Sequence, residues 1–341
     1  MTERIMVVDD NLTNLQYISS QLAGLYQVLP AKSGVQALHI AAQQVPDLIL
    51  LDVDMPQLDG FETFEKLTHH DRLAHIPVIF LTARHDPATE MRALELGARD
   101  FIAKPIEKSI LLHRIDLHLR YSYYRQHLQH TVKEMEDSVA VSFAELIECR
   151  DENTGGHVRR TREYVSILGK ALRERGYFEG ELQDQELEMM VRAAPLHDVG
   201  KIGISDRSLL KPGRLTASEF EDMKRHTVIG ASILEAMYRR IPTQRYLRYA
   251  KIIAESHHER YDGKGYPYGK CREDIPLPAR IMAVADVYDA LVANRIYRNA
   301  VSHEEACRVI IDGKGTSFDP HIVDVFEVHH QQFRRCKEGI S

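Results

Sequence analysis

The chain has 341 residues, of which 44% are hydrophobic and 28% charged, with Gly 19 and Pro 13. This is long enough for two ordinary domains and excludes collagen-like, low-complexity and largely disordered classes. Lys+Arg 44 against Asp+Glu 50 leaves a net charge of −6, which argues against a broad basic surface for nucleic acid or anionic lipid. In chain order, the start MTERIMVVDD lacks a basic leader followed by a long apolar run. No later stretch approaches the roughly 18 apolar residues that span a bilayer, so a cytoplasmic protein without membrane insertion is expected. Ile5 to Val8, Tyr26 to Pro30, Leu48 to Leu51, Val78 to Leu81 and Phe101 to Ala103 read as strands alternating with helix-like segments. Such alternation predicts an α/β unit, a five-stranded parallel sheet wound on both faces.

From Ile106 to Asn153 there is neither Gly nor Pro, and Leu117, Tyr121, Tyr124, Leu128, Val132, Met135, Val139 and Leu146 recur mostly three or four apart. A long helix is predicted. It is either a dimerising coiled coil, which would make the protein a homodimer, or a last helix of the first domain followed by a core helix of the second. Beyond Asp151, helix-length apolar segments separated by loops such as LLKPGRLT and YDGKGYPYG predict an all-α second domain. Cys149, Cys271, Cys307 and Cys336 are scattered without a CxxC pair, so neither a disulfide framework nor a thiolate zinc site is indicated.

In the first domain, Asp9 and Asp10 follow the first strand, Asp52 follows the third, and Thr82 and Lys104 end the fourth and fifth. Strand C-termini share one edge of a parallel sheet, so these groups converge where the strand order reverses. Three carboxylates there call for a hard cation such as Mg²⁺, and a cation beside an ammonium suits an aspartyl phosphate. These motifs, VVDDN, LLDVDMPQLDG, FLTA and IAKP, resemble those of response-regulator receiver domains over residues 3 to 122. The resemblance implies that Asp52 accepts a phosphoryl group from a sensor histidine kinase, that Asp9 and Asp10 hold Mg²⁺, and that Thr82 is the switch hydroxyl. Lys104 would contact the phosphoryl oxygens, Phe101 would be the aromatic switch partner, and Lys104–Pro105 would be a cis bond. Asp54 either tunes phosphoryl lifetime or is an exposed loop carboxylate.

Three His-Asp dipeptides occur. His70-Asp71 and His85-Asp86 fall in predicted surface loops, whereas His197-Asp198 ends an apolar helix and leads into glycines. With His157, His226, His257, His258 and Asp286, it makes five imidazoles and two carboxylates. That is enough for two metals, and the donor mix suits Fe, Mn, Ni or Zn more than Mg. Hydrolysis of a phosphodiester is the chemistry such a set supports.

The ordered motifs TGGHVRR, LHDVGKIGISD, MKRH, HHERYDGKGYP, ARIMAVADVYDALVANRIYR and FDP resemble the HD-GYP branch of the HD superfamily, cyclic di-GMP phosphodiesterases, over residues 140 to 330. By that resemblance His157, His197, Asp198, His226, His257, His258 and Asp286 are metal ligands, and Asp198 with Lys201 is catalytic. Lys201 would touch the scissile phosphate or a metal-bound ligand, Tyr266 the nucleotide, and Arg295 and Arg298 the other phosphate. The chain then divides into a receiver at 1–122, a helical linker at 123–150 and a hydrolase at 151–341. It would cleave cyclic di-GMP to pGpG and onward to GMP. The rivals are a hydrolase for another cyclic or linear nucleotide and a GYP-loop module that docks diguanylate cyclases with little turnover. Two departures stand out: Asn153, where some members carry Glu, predicts two metals and not three, and Lys264 precedes GYP where Thr or Ser is common. Asn153 would otherwise act as a helix cap, and the adjacent Glu152 projects elsewhere on a helix.

Overall fold

The computed structural model describes residues 2–70, 72–82, 91, 96–151, 156–293 and 300–339. The apolar runs of the first third form strands β1 (Arg4–Val8), β2 (Gln27–Ala31), β3 (Leu48–Asp52), β4 (Val78–Thr82) and β5 (Asp100–Ala103). They make one parallel sheet of order β2-β1-β3-β4-β5. Because strand side chains alternate, Met6, Val8, Ile49, Leu51 and Phe80 build a core on one face, and Ile5, Val7, Leu48, Leu50, Ile79 and Leu81 build another on the opposite face. Burial on both faces explains why these strands read as unbroken apolar runs.

Three capped helices connect the strands: α1 (Leu12–Leu22), α2 (Gly34–Gln43) and α3 (Gly60–Thr68). Asn11 and Ser33 accept bonds from the first turns of α1 and α2, and Asp59 with Glu62 forms a reciprocal capping box on α3. Gly60 lies so close to the end of β3 that a Cβ there would sit 2.3 Å from the Asp52 carbonyl oxygen. The loop after Asp52 is therefore folded back onto its strand.

The long helix α4 runs unbroken from Lys108 to Glu148. At its start Leu111 and Ile115 belong to the sheet core; near its end Ala144 and Ile147 belong to a second core. Between them the apolar seam is bare, with Leu117, Tyr121, Tyr124, Leu128, Val132, Met135, Val139 and Leu146 all exposed. The chain divides into two compact units, Met1–Lys133 and Glu134–Ser341.

The second unit is helical: α5 (His157–Glu174), α6 (Asp184–Ala193), the short α7 (Asp206–Leu209), α8 (Ala217–Arg240), α9 (Tyr246–Ser256), α10 (Leu277–Val292), α11 (His303–Asp312) and α12 (Pro320–Gly339). Their apolar faces meet in one core that includes Tyr164, Leu168, Ile253, Ile281, Tyr288, Phe326 and Phe333. After α6, Pro195 and the glycines at 200 and 203 divert the chain into two 3₁₀ turns, Ala194–Leu196 and Val199–Gly203, with His197 and Asp198 between them. The second turn packs directly on α8: a Cβ on Gly200 would lie 1.9 Å from the His226 carbonyl oxygen and 2.4 Å from the Gly230 nitrogen. Backbone on both sides leaves nothing to give way. Gly200→Ala is therefore expected to lower the unfolding free energy by about 3 kcal/mol. Gly180→Ala, which meets no atom within 4 Å, should change it by no more than about 0.5 kcal/mol. Denaturant titration of the two variants distinguishes these outcomes.

Candidate metal centre

The strand order reverses between β1 and β3, and the sheet edge there gathers Asp9, Asp10, Asp52, Thr82 and Lys104. Lys104 Nζ lies 2.8 Å from Asp9 Oδ2 and 2.9 Å from Asp52 Oδ1. The other Asp9 oxygen accepts from the Asn11 backbone nitrogen at 2.9 Å. Ligand oxygens of Asp9, Asp10 and Asp52 lie within 4.8 Å of one another, close enough to share a cation. Burial pushes the Asp52 carboxyl up to about 6, against the pull of Lys104. Thr82 is buried at the end of β4, Phe101 is half-buried, and Asp54 is exposed. The Lys104–Pro105 bond is cis, as expected, and so is Tyr266–Pro267. His70 is exposed as predicted; Asp71, His85 and Asp86 lie outside the described residues.

In the helical unit, each of four histidines has its Nδ1 facing an acceptor. His157 Nδ1 is 2.8 Å from Asp289 Oδ2, His197 Nδ1 3.0 Å from the Ala194 carbonyl, His226 Nδ1 2.7 Å from the Met223 carbonyl, and His257 Nδ1 2.9 Å from the Ile253 carbonyl. Carbonyl and carboxylate oxygens accept only, so each Nδ1 carries a proton and Nε2 is the ring nitrogen left to face a cation. Against the pull of burial, Asp198 and then Asp286 and Glu148 raise His197 to about 9, so its Nε2 stays protonated until a cation displaces that proton. Those Nε2 atoms converge. His157 and His197 Nε2 lie 3.4 Å apart, while His226 and His257 Nε2 lie 3.3 and 3.6 Å from Asp198 Oδ1. His197 Nε2 is 3.4 Å from the other oxygen, Asp198 Oδ2. Two ligand sets result: Asp198, His226, His257 and His258 in one, and His157, His197 and Asp198 in the other. Asp198 belongs to both. Asp286 Oδ1 stands 3.8 and 3.9 Å from the His157 and His197 Nε2 atoms.

This donor set fits divalent cations. Asp198 Oδ1, His226 Nε2, His257 Nε2 and Glu148 Oε1 are buried without a hydrogen-bond partner, an arrangement whose desolvation cost needs an ion to offset it. Burial, reinforced by neighbouring imidazoles, holds His258 well below the usual histidine range, and burial takes His226 down to about 4, so both rings are neutral. Burial works against the charge of Asp198, but Lys201 and then His197 hold its carboxyl well below the usual range. Lys201 Nζ sits 2.7 Å from Asp198 Oδ2. Tyr266 stacks at 4.7 Å on the His258 ring, its backbone nitrogen bonded to the His258 carbonyl. Gly265 lets that loop close, because a Cβ there would sit 2.3 Å from the Arg260 nitrogen.

Sequence reasoning missed three residues of this site. Glu148, in the last turn of α4, is buried with Oε1 3.3 Å from His157 Nε2, and burial raises its carboxyl above the usual range. The reading from sequence sought a further carboxylate only at Asn153 and Glu152, which lie outside the described residues; Glu148 places one beside His157 from another direction. Asp289 and Arg160 are the other two. Arg160 grips Asp289 through Nε at 2.7 Å and Nη2 at 2.9 Å, and Asp289 in turn holds His157. The signal was present as two i, i+3 pairs, His157 with Arg160 and Asp286 with Asp289, each on one helix face. Lys264 is exposed, and Arg295 and Arg298 lie outside the described residues.

Residues 142–322 match the HD domain family and residues 5–116 the response regulator receiver domain family. The chain belongs to the response regulators that join a receiver to an HD domain. Among its relatives, a protein of Vibrio cholerae named "Probable cyclic di-GMP phosphodiesterase" is 40% identical over 96% of this chain and 78% of its own. The cyclic di-GMP phosphodiesterase response regulator RpfG of Xanthomonas campestris is 36% identical over 94% and 86%, and a cyclic di-GMP phosphodiesterase of Thermotoga maritima is 35% identical over 94% and 89%. No helix among the described residues is long and apolar enough to cross a membrane.

Asp289 fixes the proton and orientation of His157 without facing the ligand cluster itself. Asp289→Asn should therefore weaken divalent-metal affinity about 10- to 100-fold while leaving the fold intact, as read by competition with a chelator and by circular dichroism.

Proposed function

We propose that this protein is a cytoplasmic two-component response regulator whose output domain is a metal-dependent phosphodiesterase, hydrolysing cyclic di-GMP to pGpG and onward to GMP. Two ligand sets sharing one buried carboxylate, with a lysine against that carboxylate, carry the reading. Relatives matched over most of their own length bear this activity in their names. The receiver occupies 1–122, the helical linker 123–150, and the hydrolase 151–341, with Glu148 in the linker's last turn reaching the site.

His226, His257, His258 and Asp198 hold one transition metal; His157, His197, Asp198 and Asp286 hold a second, with Glu148 beside them. Imidazole with carboxylate favours Fe, Mn or Ni, with Zn a further candidate. Such cations, when bound, supply Lewis acidity and activate water at neutral pH. Lys201 keeps a fixed positive charge against Asp198 and presents its ammonium to the scissile phosphate. Tyr266 orients the nucleotide from the closed GYP loop, and Arg295 and Arg298 neutralise the second phosphate through bidentate donors.

In the receiver, Asp9 and Asp10 hold Mg²⁺, and Asp52 takes the phosphoryl group of a sensor histidine kinase. Lys104 and Thr82 then bond its oxygens. The bare seam of α4 supports a homodimer. Its apolar residues from Leu117 to Leu146, with exposed Phe143, step by 4-3-4-4-3-4-4-3 along the helix. That is an eleven-residue rhythm, which winds a pair of helices into a right-handed supercoil.

Removing His197 or Asp198 by alanine substitution should reduce turnover of cyclic di-GMP by orders of magnitude in metal-loaded protein. Unchanged activity in both variants rejects the assignment. Anomalous diffraction at this centre should show two ions in the wild type, and three fully occupied ions there would overturn that count.

With a small phosphodonor and Mg²⁺, the wild type should gain one phosphoryl group and change either its turnover or its solution mass. Asp52→Asn should abolish both the labelling and the response. Labelling retained in that variant would displace Asp52 as the acceptor.

A further inference from the structure

A second histidine cluster stands apart from the ligand set around Asp198. His303 and Cys307 lie one turn apart on α11, and His330 faces them from α12. Ligand atoms of the three lie within 4.8 Å of one another. His303 Nε2 is 2.8 Å from His330 Nδ1 and 3.6 Å from Cys307 Sγ. Around a tetrahedral ion with M–N near 2.05 Å and M–S near 2.3 Å, these separations would be about 3.3 and about 3.6 Å. The sulfur already stands at that spacing, and the two rings need to part by about half an ångström.

The surroundings of the cluster are those of a ligand set. On the far side of His303, Nδ1 lies 2.7 Å from the Tyr288 hydroxyl. Tyr288 is fully buried on α10 against Tyr164, Phe326 and Phe333. That hydroxyl accepts a bond from His303 Nδ1–H when Nε2 is committed elsewhere, which is how an outer partner fixes a ligating imidazole. Burial, then His330, lowers the His303 pKa below the ordinary histidine value, leaving its ring neutral. Burial also raises the Cys307 thiol to about 11, so it stays protonated until a cation displaces the proton. Cys307 is buried while both rings are half-buried, which leaves a route inward. Nearby, Arg334 pairs with both Glu304 and Glu338, which leaves one net negative charge among the three.

We propose that His303 Nε2, Cys307 Sγ and His330 Nδ1 form a separate site for one borderline divalent cation of the Zn²⁺ type, with water in the fourth position. On binding, the Cys307 S–H bond breaks, its proton passes to solvent, and the thiolate takes up the ion. Two neutral imidazoles and one thiolate are a donor set that selects Zn²⁺ or Co²⁺ over Mg²⁺ and Ca²⁺. The ion would join α11 to α12 and, through His303 and Tyr288, to α10, the helix that carries Asp286 and Asp289.

The ligand set around Asp198 has no sulfur ligand, so cobalt reports the two sites separately. Full-length protein stripped with chelator and reloaded with Co²⁺ should show a thiolate-to-cobalt charge-transfer band in the near ultraviolet. Cys307→Ser should abolish that band and lower bound cobalt by one equivalent, while phosphodiesterase turnover is retained. His330→Gln should also abolish the band, with secondary structure checked by circular dichroism. A wild-type protein without the band, or a band that survives in either variant, overturns the proposal. In that case His303 and His330 are a hydrogen-bonded pair packed on an inert thiol.

Discussion

One buried carboxylate organises the helical unit. Asp198 is almost entirely enclosed, yet its environment favours the charged form. An isolated carboxylate in that position would cost several kcal/mol or take up a proton. It remains an anion because Lys201 lies against one oxygen and the His197 ring, itself held protonated, adds positive charge beside it. The backbone is shaped to make this arrangement. Two 3₁₀ turns replace a continuous helix so that His197 and Asp198 point into the cluster, and Gly200 allows the second turn to lie flat on α8 beneath His226. The local sequence therefore gives up helix propensity at Pro195, Gly200 and Gly203 to bring two ligand sets onto one shared group.

The receiver solves a related problem with different means. Its three carboxylates gather at the sheet edge through topology alone, since parallel strands end together and the order reverses between β1 and β3. Here a single lysine bridges Asp9 and Asp52, and the remaining charge suits a hard cation with oxygen ligands. Among the described residues its donors are carboxylate oxygens beside one ammonium, whereas the helical unit gathers imidazoles around its carboxylate.

Much of this was legible before the structure. All five strands were visible as short apolar runs because their two-sided burial removes polar alternation, and each strand boundary lies within one residue of the predicted one. The structure brings the seven histidine and aspartate positions read from sequence into one cluster, six of them in two groups that share Asp198, with Asp286 beside His157 and His197. Glu148 was not legible, because it sits in the last turn of a helix whose exposed seam dominated the pattern. Only its neighbours Ala144 and Ile147 reveal that the helix face turns inward there. Asp289 and Arg160 were passed over because a charged residue on a helix reads by default as solvated. Their burial follows from pairing with each other across two helices, a long-range relation that spacing within either helix does not encode.

Glu148 also ties the longest helix among the described residues to the ligand cluster. Helix α4 has 41 residues without Gly or Pro, so it has none of the common sites for a kink. Its first turns are anchored by Leu111 and Ile115 in the sheet core, and its last turn places Glu148 against His157. A rotation or axial shift of that helix moves a carboxylate relative to an imidazole already 3.3 Å away. At that separation the interaction inside a partly desolvated site changes steeply with distance and angle. Helix α4 thus lends its first turns to one core and its last turn to another core and to the ligand cluster, and its stiffness is that of an uninterrupted backbone ladder.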